Sequence, residues 1–290
     1  MAYELSVAIG DDPRIEPIKS GRLLTPMLKL NFASVAPINR AFAPMVRELK
    51  YDVCEMAIGT FIQAKAYNKR IALLPIVTLA RFQESALLCR ADSAIRGPQD
   101  LKGRRVGVRA YSQTTGLWLR GELADDYGVR PESIEWLTFE DAHVAEYRDP
   151  AHARRAAPGE SLKALLKAGA IDAAIFGADA PDDPALRSVF PDPQKAAQAF
   201  LAKHGVTPIN HMVCVKEEIA KSRPELIEAL MLLFREADAL VRKEGTLSEP
   251  PIDRRAIDAA LDLAARYAAE QGLTPRRLAL EEIWRGNLAQ

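Results

Sequence analysis

Short apolar runs alternate along the chain with longer stretches that carry apolar residues at helical spacing, so strands and helices are predicted to take turns over most of its length. Leu5 to Gly10, Met27 to Phe32, Val53 to Ile58, Ile71 to Thr78 and Ser85 to Cys89 read as strands of a first unit, with helices over Pro37 to Leu49 and Phe61 to Tyr67 between them. Pro37 suits a first helical turn. The turn-rich segment Asp92 to Gly103, with Gly97-Pro98 inside it, predicts a crossing to a second unit near residues 90 to 97. Beyond it the alternation restarts: strands over Arg105 to Arg109, Ile134 to Phe139 and Ile171 to Phe176, and helices up to Tyr127-Gly128, over Ser161 to Ala168 and over Gln194 to His204. Glu140 to Gly159 shows no period, and proline-rich Pro181 to Pro193 reads as an irregular connection.

Gly205 to His211 leads into a strand, Met212 to Val215, that returns the chain to the first unit. The rest, Pro224 to Lys243, Arg254 to Glu270 and Pro275 to Leu288, is helical and is expected to pack there. The expected organisation is therefore residues 1–92 as the first part of lobe 1, 93–207 as lobe 2, and 208–290 as the return to lobe 1. The class is α/β, with two mainly parallel sheets flanked by helices and joined by two crossovers.

Length and composition narrow this picture. At 290 residues, 48% hydrophobic and 27% charged, the chain suits two folded units of ordinary size. Lys plus Arg equals Asp plus Glu at 39 each, so the basic footprint of a general nucleic-acid binder is missing. Cys54, Cys89 and Cys214 each lie in an apolar run, a pattern of buried thiols rather than of a disulfide framework. No run approaches a membrane span, and the opening MAYELSVAIGDD carries neither a basic leader nor a lipidation cysteine, which gives a cytoplasmic expectation.

The stretch Gly103 to Gly128 carries the clearest chemical signal. A β-branched strand runs into Ala110 to Thr115, rich in hydroxyls and backbone N–H groups, where a helix begins and favours an anion. Ser112 and Thr114 can cap that helix or donate to a ligand, and the local pattern leaves both open. Asp12 and Arg14 follow the first strand, at the end where open α/β sheets bind ligands. Thr60 opens a helix as Ser112 does. Arg81 and Arg109 flank strand ends and suit a carboxylate. His211 lies where the floor of an interlobe cleft belongs, as a structural or an acid-base residue. Phosphate loops, a nucleophile elbow and the common metal motifs are absent from the sequence, and the scattered histidines, Asp141-x-His143 included, do not suggest a metal site.

Asp100-Leu-Lys-Gly-Arg-Arg-Val-Gly-Val followed by a polar turn and helix resembles the entry to the second lobe of type II solute-binding proteins, the bilobal group that serves ABC importers. Arg109-Ala-Tyr-Ser-Gln-Thr-Thr-Gly-Leu-Trp-Leu-Arg-Gly-Glu-Leu, then Asp126-Tyr-Gly-Val, Ile134-Glu-Trp and Pro208-Ile-Asn-His-Met-Val-Cys-Val, resemble that group's 4,5-dihydroxyphthalate decarboxylase branch. Phe82-Gln83-Glu84-Ser85 departs from the branch's frequent Phe-Arg-His-Ser. The resemblance implies two lobes closing on a small aromatic carboxylate and a decarboxylation that needs no cofactor. In that reading His211 donates the proton or polarises a ring hydroxyl, Asp12 holds ring hydroxyls, and Arg81 or Arg109 anchors a carboxylate. Arg14, Thr60, Tyr111, Ser112, Gln113, Thr114 and Thr115 complete the binding set. The alternative is a solute-binding protein for a small anion, without chemistry.

Overall fold

The computed structural model describes residues 2–177, 180–247 and 252–286. Strands β1 (Tyr3–Ala8), β2 (Leu28–Phe32), β3 (Val53–Ala57) and β4 (Ile71–Ala80) build a first sheet that is completed by β11 (Ile209–Lys216), in the order β2-β1-β3-β11-β4. A second sheet holds β5 (Leu87–Arg90), β6 (Arg105–Val108), β7 (Glu135–Thr138), β8 (Ala153–Arg155), β9 (Ala173–Ile175) and β10 (Leu186–Ser188), in the order β10-β5-β9-β6-β7-β8. Both sheets are mixed. The strands next to the crossings run against their neighbours: β11 is antiparallel to β3 and β4, and β5 to β9 and β10. A chain that leaves one sheet and enters another by a short path arrives from the opposite end, whereas most of the remaining neighbours, joined by helices or, for β7 and β8, by a long loop, stay parallel.

The first crossing lies earlier than expected. Leu87 pairs with Ile175, so β5 belongs to the second sheet, and the chain crosses over residues 81–86 rather than near 90–97. Leu87, Leu88 and Cys89 are buried there and would be buried equally in either sheet, so their apolar run says nothing about which one they join. The two crossing segments lie side by side. Arg81 N–H donates to Pro208 O (3.0 Å), Gln83 Nε2 donates to Asn210 Oδ1 (2.7 Å), and Trp118 Nε1 of the second lobe donates to Ile209 O (2.9 Å). Gln83 and Glu84, which replace the branch's Arg-His, are both buried in this hinge.

The helix Pro224–Lys243 packs its apolar face, including Leu226, Leu230, Leu233 and Phe234, on the first sheet. The helix Arg254–Glu270, expected on the first lobe alone, reaches the second as well. Arg266 and Tyr267 both bond Asp125 of the helix Thr114–Tyr127. Gly121 admits the Tyr267 ring, where a Cβ would come within 2.2 Å of it. The last helix is shorter than its pattern, Leu280–Trp284; residues 287–290 lie outside the described ones. Cys54 and Cys214 face each other across β3 and β11, and both are free thiols. Among the described residues no helix is long and apolar enough to cross a membrane.

Candidate interlobe site

Three ends of chain meet where β3 stops. His211, early in β11, pairs in register with Ala57, the last residue of β3, and the helix Ile58–Ala66 starts immediately after it. The five residues of β3 are all buried, yet one of them is Glu55. Its Oε1 lies 2.6 Å from His211 Nδ1, and its Oε2 accepts the Gly10 N–H (2.9 Å) from the loop after β1. A buried carboxylate needs such partners. The pair orients the imidazole and can balance positive charge on it while a proton moves.

The second lobe supplies another imidazole. Arg47, on the first-lobe helix Phe42–Glu48, donates to the carbonyls of Ala142 and His143 (2.8 and 2.7 Å) and so draws the loop after β7 onto the first lobe. His143 Nδ1 then lies 2.8 Å from Thr60 Oγ1. The rings of His143 and His211 both meet Phe42 edge-on, at 5.5 and 5.3 Å between centroids. Burial, reinforced by the nearby charges of Arg109, Arg47 and His211, lowers the His143 pKa to about 4. At neutral pH it is an uncharged imidazole, one ring nitrogen donating a hydrogen bond and the other accepting one.

The turn before the helix Thr114–Tyr127 faces the same place. Its N-cap is Gln113 and no side chain caps it, so capping does not account for the hydroxyls of Ser112 and Thr114. Thr114 Oγ1 accepts the Gly59 N–H of the first lobe (3.0 Å). Glycine suits the close approach there: a Cβ would come 3.0 Å from Thr114 Oγ1 and 3.2 Å from Ser112 O. Two helix starts, one per lobe, thus converge with His211 and His143. Ser112 and Thr115 are buried at the same turn, and Arg109, just before it, reaches Glu140 across the strand ends (3.3 Å). The helix ends on Gly128 in the left-handed conformation, as its sequence suggests.

The structure gives other partners to several of the residues singled out by sequence. Tyr111 is buried in the second lobe, its hydroxyl 3.0 Å from His152 Nε2 and its ring against Trp136. Asp12 is held by Arg14, which engages both its oxygens (2.8 and 2.7 Å) and itself docks on the carbonyls of Val77 and Thr78. The two brace the loop after β1 against β4. Gln113 Nε2 contacts Phe176 O at 3.5 Å. Arg81 holds the crossing through its backbone. Glu55, Phe42 and Arg47 are not singled out by the sequence, and His143 is weighed there only as a metal ligand. A glutamate inside the otherwise apolar run Val53 to Ile58 was the one available signal. Among the described residues no group of His, Cys, Asp and Glu is arranged to hold a metal ion.

Residues 35–246 match the family described as ABC transporter, phosphonate, periplasmic substrate-binding protein. The chain belongs to that family. Within the bilobal group it is similar to 4,5-dihydroxyphthalate decarboxylase: the enzyme of that name from Comamonas testosteroni is 27% identical over 306 aligned residues, covering 99% of this chain and 87% of the relative. The same-named protein from Pseudomonas putida is 28% identical over 206, covering 67% and 79%. Among solved structures, the periplasmic aliphatic sulphonate binding protein SsuA from Escherichia coli is similar in fold over the whole of both chains, with a TM-score of 0.64 and 16% identity. The desulfurization enzyme DSZB matches at a TM-score of 0.58 and 15% identity, over 97% of this chain and 96% of that one. One bilobal architecture therefore serves both a binding protein and an enzyme.

Proposed function

We propose that this member of the phosphonate-binding family is a decarboxylase that needs no cofactor and acts on a hydroxylated aromatic carboxylate such as 4,5-dihydroxyphthalate, bound between the lobes. The observation that carries the reading is His211 held by buried Glu55 at the point where both lobes converge. A receptor for an anion needs only donors. A carboxylate buried behind an imidazole is a unit for moving a proton.

The chemistry asks for little more. A ring hydroxyl para to the leaving carboxylate feeds electrons toward the carbon that bears it, and His211 delivers a proton to that carbon. The carbon–carbon bond then breaks, its electron pair restores the aromatic ring, and CO2 departs. Arg109 anchors the retained carboxylate, aided by Ser112, Thr115 and the N–H groups of the uncapped helix start. Thr60 and the neutral imidazole of His143 hold the ring hydroxyls. Thr114 closes the lobes over the reaction and keeps water out.

A second reading, capture of a small anion without chemistry, draws support from the family's description and from the fold shared with sulphonate-binding proteins. Incubating the protein with 4,5-dihydroxyphthalate while following CO2 and thermal stability together separates the two. Stabilisation with CO2 release supports the enzyme, and stabilisation with no CO2 leaves the receptor. Cytoplasmic residence belongs to the same proposal. Three free thiols support it, two of them facing each other, and cell fractionation tests it.

A further inference from the structure

The helix Thr114–Tyr127 carries a cation that the chemistry above does not use. Arg120 is completely buried in the second lobe. Its side chain runs back toward the start of its own helix, as helical side chains do. Nη2 donates to Tyr111 O (2.5 Å), Nε donates to Gln271 Oε1 (2.8 Å), and the guanidinium lies 4.0 Å from the centre of the Tyr111 ring. Nη1 has no hydrogen-bond partner among the described residues, and it lies so close to the first turn that a Cβ on Gly116 would come within 2.8 Å of it. Asp149, whose field reaches the guanidinium, accepts instead from Thr138 Oγ1 (3.2 Å). A buried charge without a bonded counter-ion costs stability, and a fold keeps one where the charge has a use.

Position says what the use is. The guanidinium lies directly behind the turn from Tyr111 to Gly116. In a planar trans peptide the C=O and the following N–H point opposite ways, so a Tyr111 carbonyl drawn inward by Arg120 turns the Ser112 N–H outward, away from the lobe's core. Ser112 is the residue whose backbone lies against Gly59 of the first lobe. We propose that Arg120 is a positioning residue for the anion site: it fixes the outward direction of the Ser112 N–H and places a full positive charge behind the uncapped helix start, setting the affinity for a carboxylate between the lobes. The inference rests on the reading of that cleft as an anion site. It concerns binding and not the proton transfer.

The test compares Arg120→Met, Arg120→Lys and Gln271→Ala by calorimetric titration with phthalate and with methylphosphonate, and by KM and kcat on 4,5-dihydroxyphthalate. Arg120→Met is expected to raise the phthalate Kd and KM about tenfold or more while kcat changes by less than about threefold. Arg120→Lys keeps the charge, loses the fork, and recovers part of the affinity. Gln271→Ala removes the Nε partner and lowers Tm, but leaves Kd within about twofold, because the charge and the Tyr111 bond remain. An unchanged Kd in Arg120→Met, or an equal loss in Gln271→Ala, overturns the assignment and leaves Arg120 a packing residue. If Arg120→Met does not fold, an Arg120→Lys protein with wild-type Kd and KM overturns it equally. Wild type that binds phthalate or methylphosphonate but releases no CO2 removes the decarboxylase reading, and the Kd comparison still decides Arg120. Wild type that binds neither anion refutes both.

Discussion

Replacing Glu122 with glutamine is expected to stabilise the protein, and to do so more as the pH rises. Glu122 sits on the helix Thr114–Tyr127, 3% exposed, with Oε1 lacking any partner among the described residues. Burial, and then the charges of Glu84 and Asp126, raise its pKa from the ordinary 4.5 to about 9. A carboxyl displaced upward contributes stability that is complete below pH 4.5 and is lost as pH climbs through 9. Over that window the native state holds a proton that the unfolded chain releases, at ~1.4 kcal/mol per pH unit. By pH 7 the accumulated loss is about 3 kcal/mol, and a neutral amide of the same shape is free of it. Thermal unfolding of wild type and Glu122→Gln across pH 5 to 9 measures the difference. Near pH 5 the variant gains under about 1 kcal/mol, and near pH 7 about 3 kcal/mol, or roughly 6 °C in Tm for a chain of this size. A gain that stays flat with pH, or a loss throughout, would refute the argument that Glu122 is a neutral acid buried on the helix Thr114–Tyr127.

Glu55→Gln keeps the shape at His211 but removes the charge behind the imidazole. A charge-assisted hydrogen bond contributes ~1.5–3 kcal/mol, so kcat for CO2 release is expected to fall about ten- to a hundredfold with phthalate binding retained. A kcat within about twofold of wild type would remove Glu55 from the mechanism. Gly121→Ala places a methyl group where the Tyr267 ring stands and is expected to lower stability by ~1–3 kcal/mol in chemical denaturation. Unchanged stability would mean that the helix Arg254–Glu270 does not hold the second lobe as described.

The alternation of strand and helix was legible because buried strands and amphipathic helices leave periodic traces. Pro224–Lys243 and Arg254–Glu270 form where the spacing places them. What periodicity cannot carry is partnership. β5 reads the same in either sheet, and β8 and β10, three residues each, are too short to show a period. The anion-favouring turn was visible from its hydroxyls, whereas the N-cap without a side-chain bond is an observation that only coordinates supply. Tyr111 looked like a ligand group because it sits in that turn, but an aromatic ring of its size is drawn to the core when His152 can satisfy its hydroxyl. His143 was hidden in a stretch without period. Its place depends on Arg47, which is 96 residues away in sequence.

The central claim is that the interlobe site protonates an aromatic ring carbon as CO2 leaves, and the reaction in D2O tests it most directly. With 4,5-dihydroxyphthalate as substrate, proton NMR of the product should show 3,4-dihydroxybenzoate carrying one deuterium at the carbon that lost its carboxylate. The His211→Gln protein should bind phthalate as wild type does and form none of it. Wild type that binds the substrate and returns it intact, or a His211→Gln variant that turns over at the wild-type rate, would contradict the account.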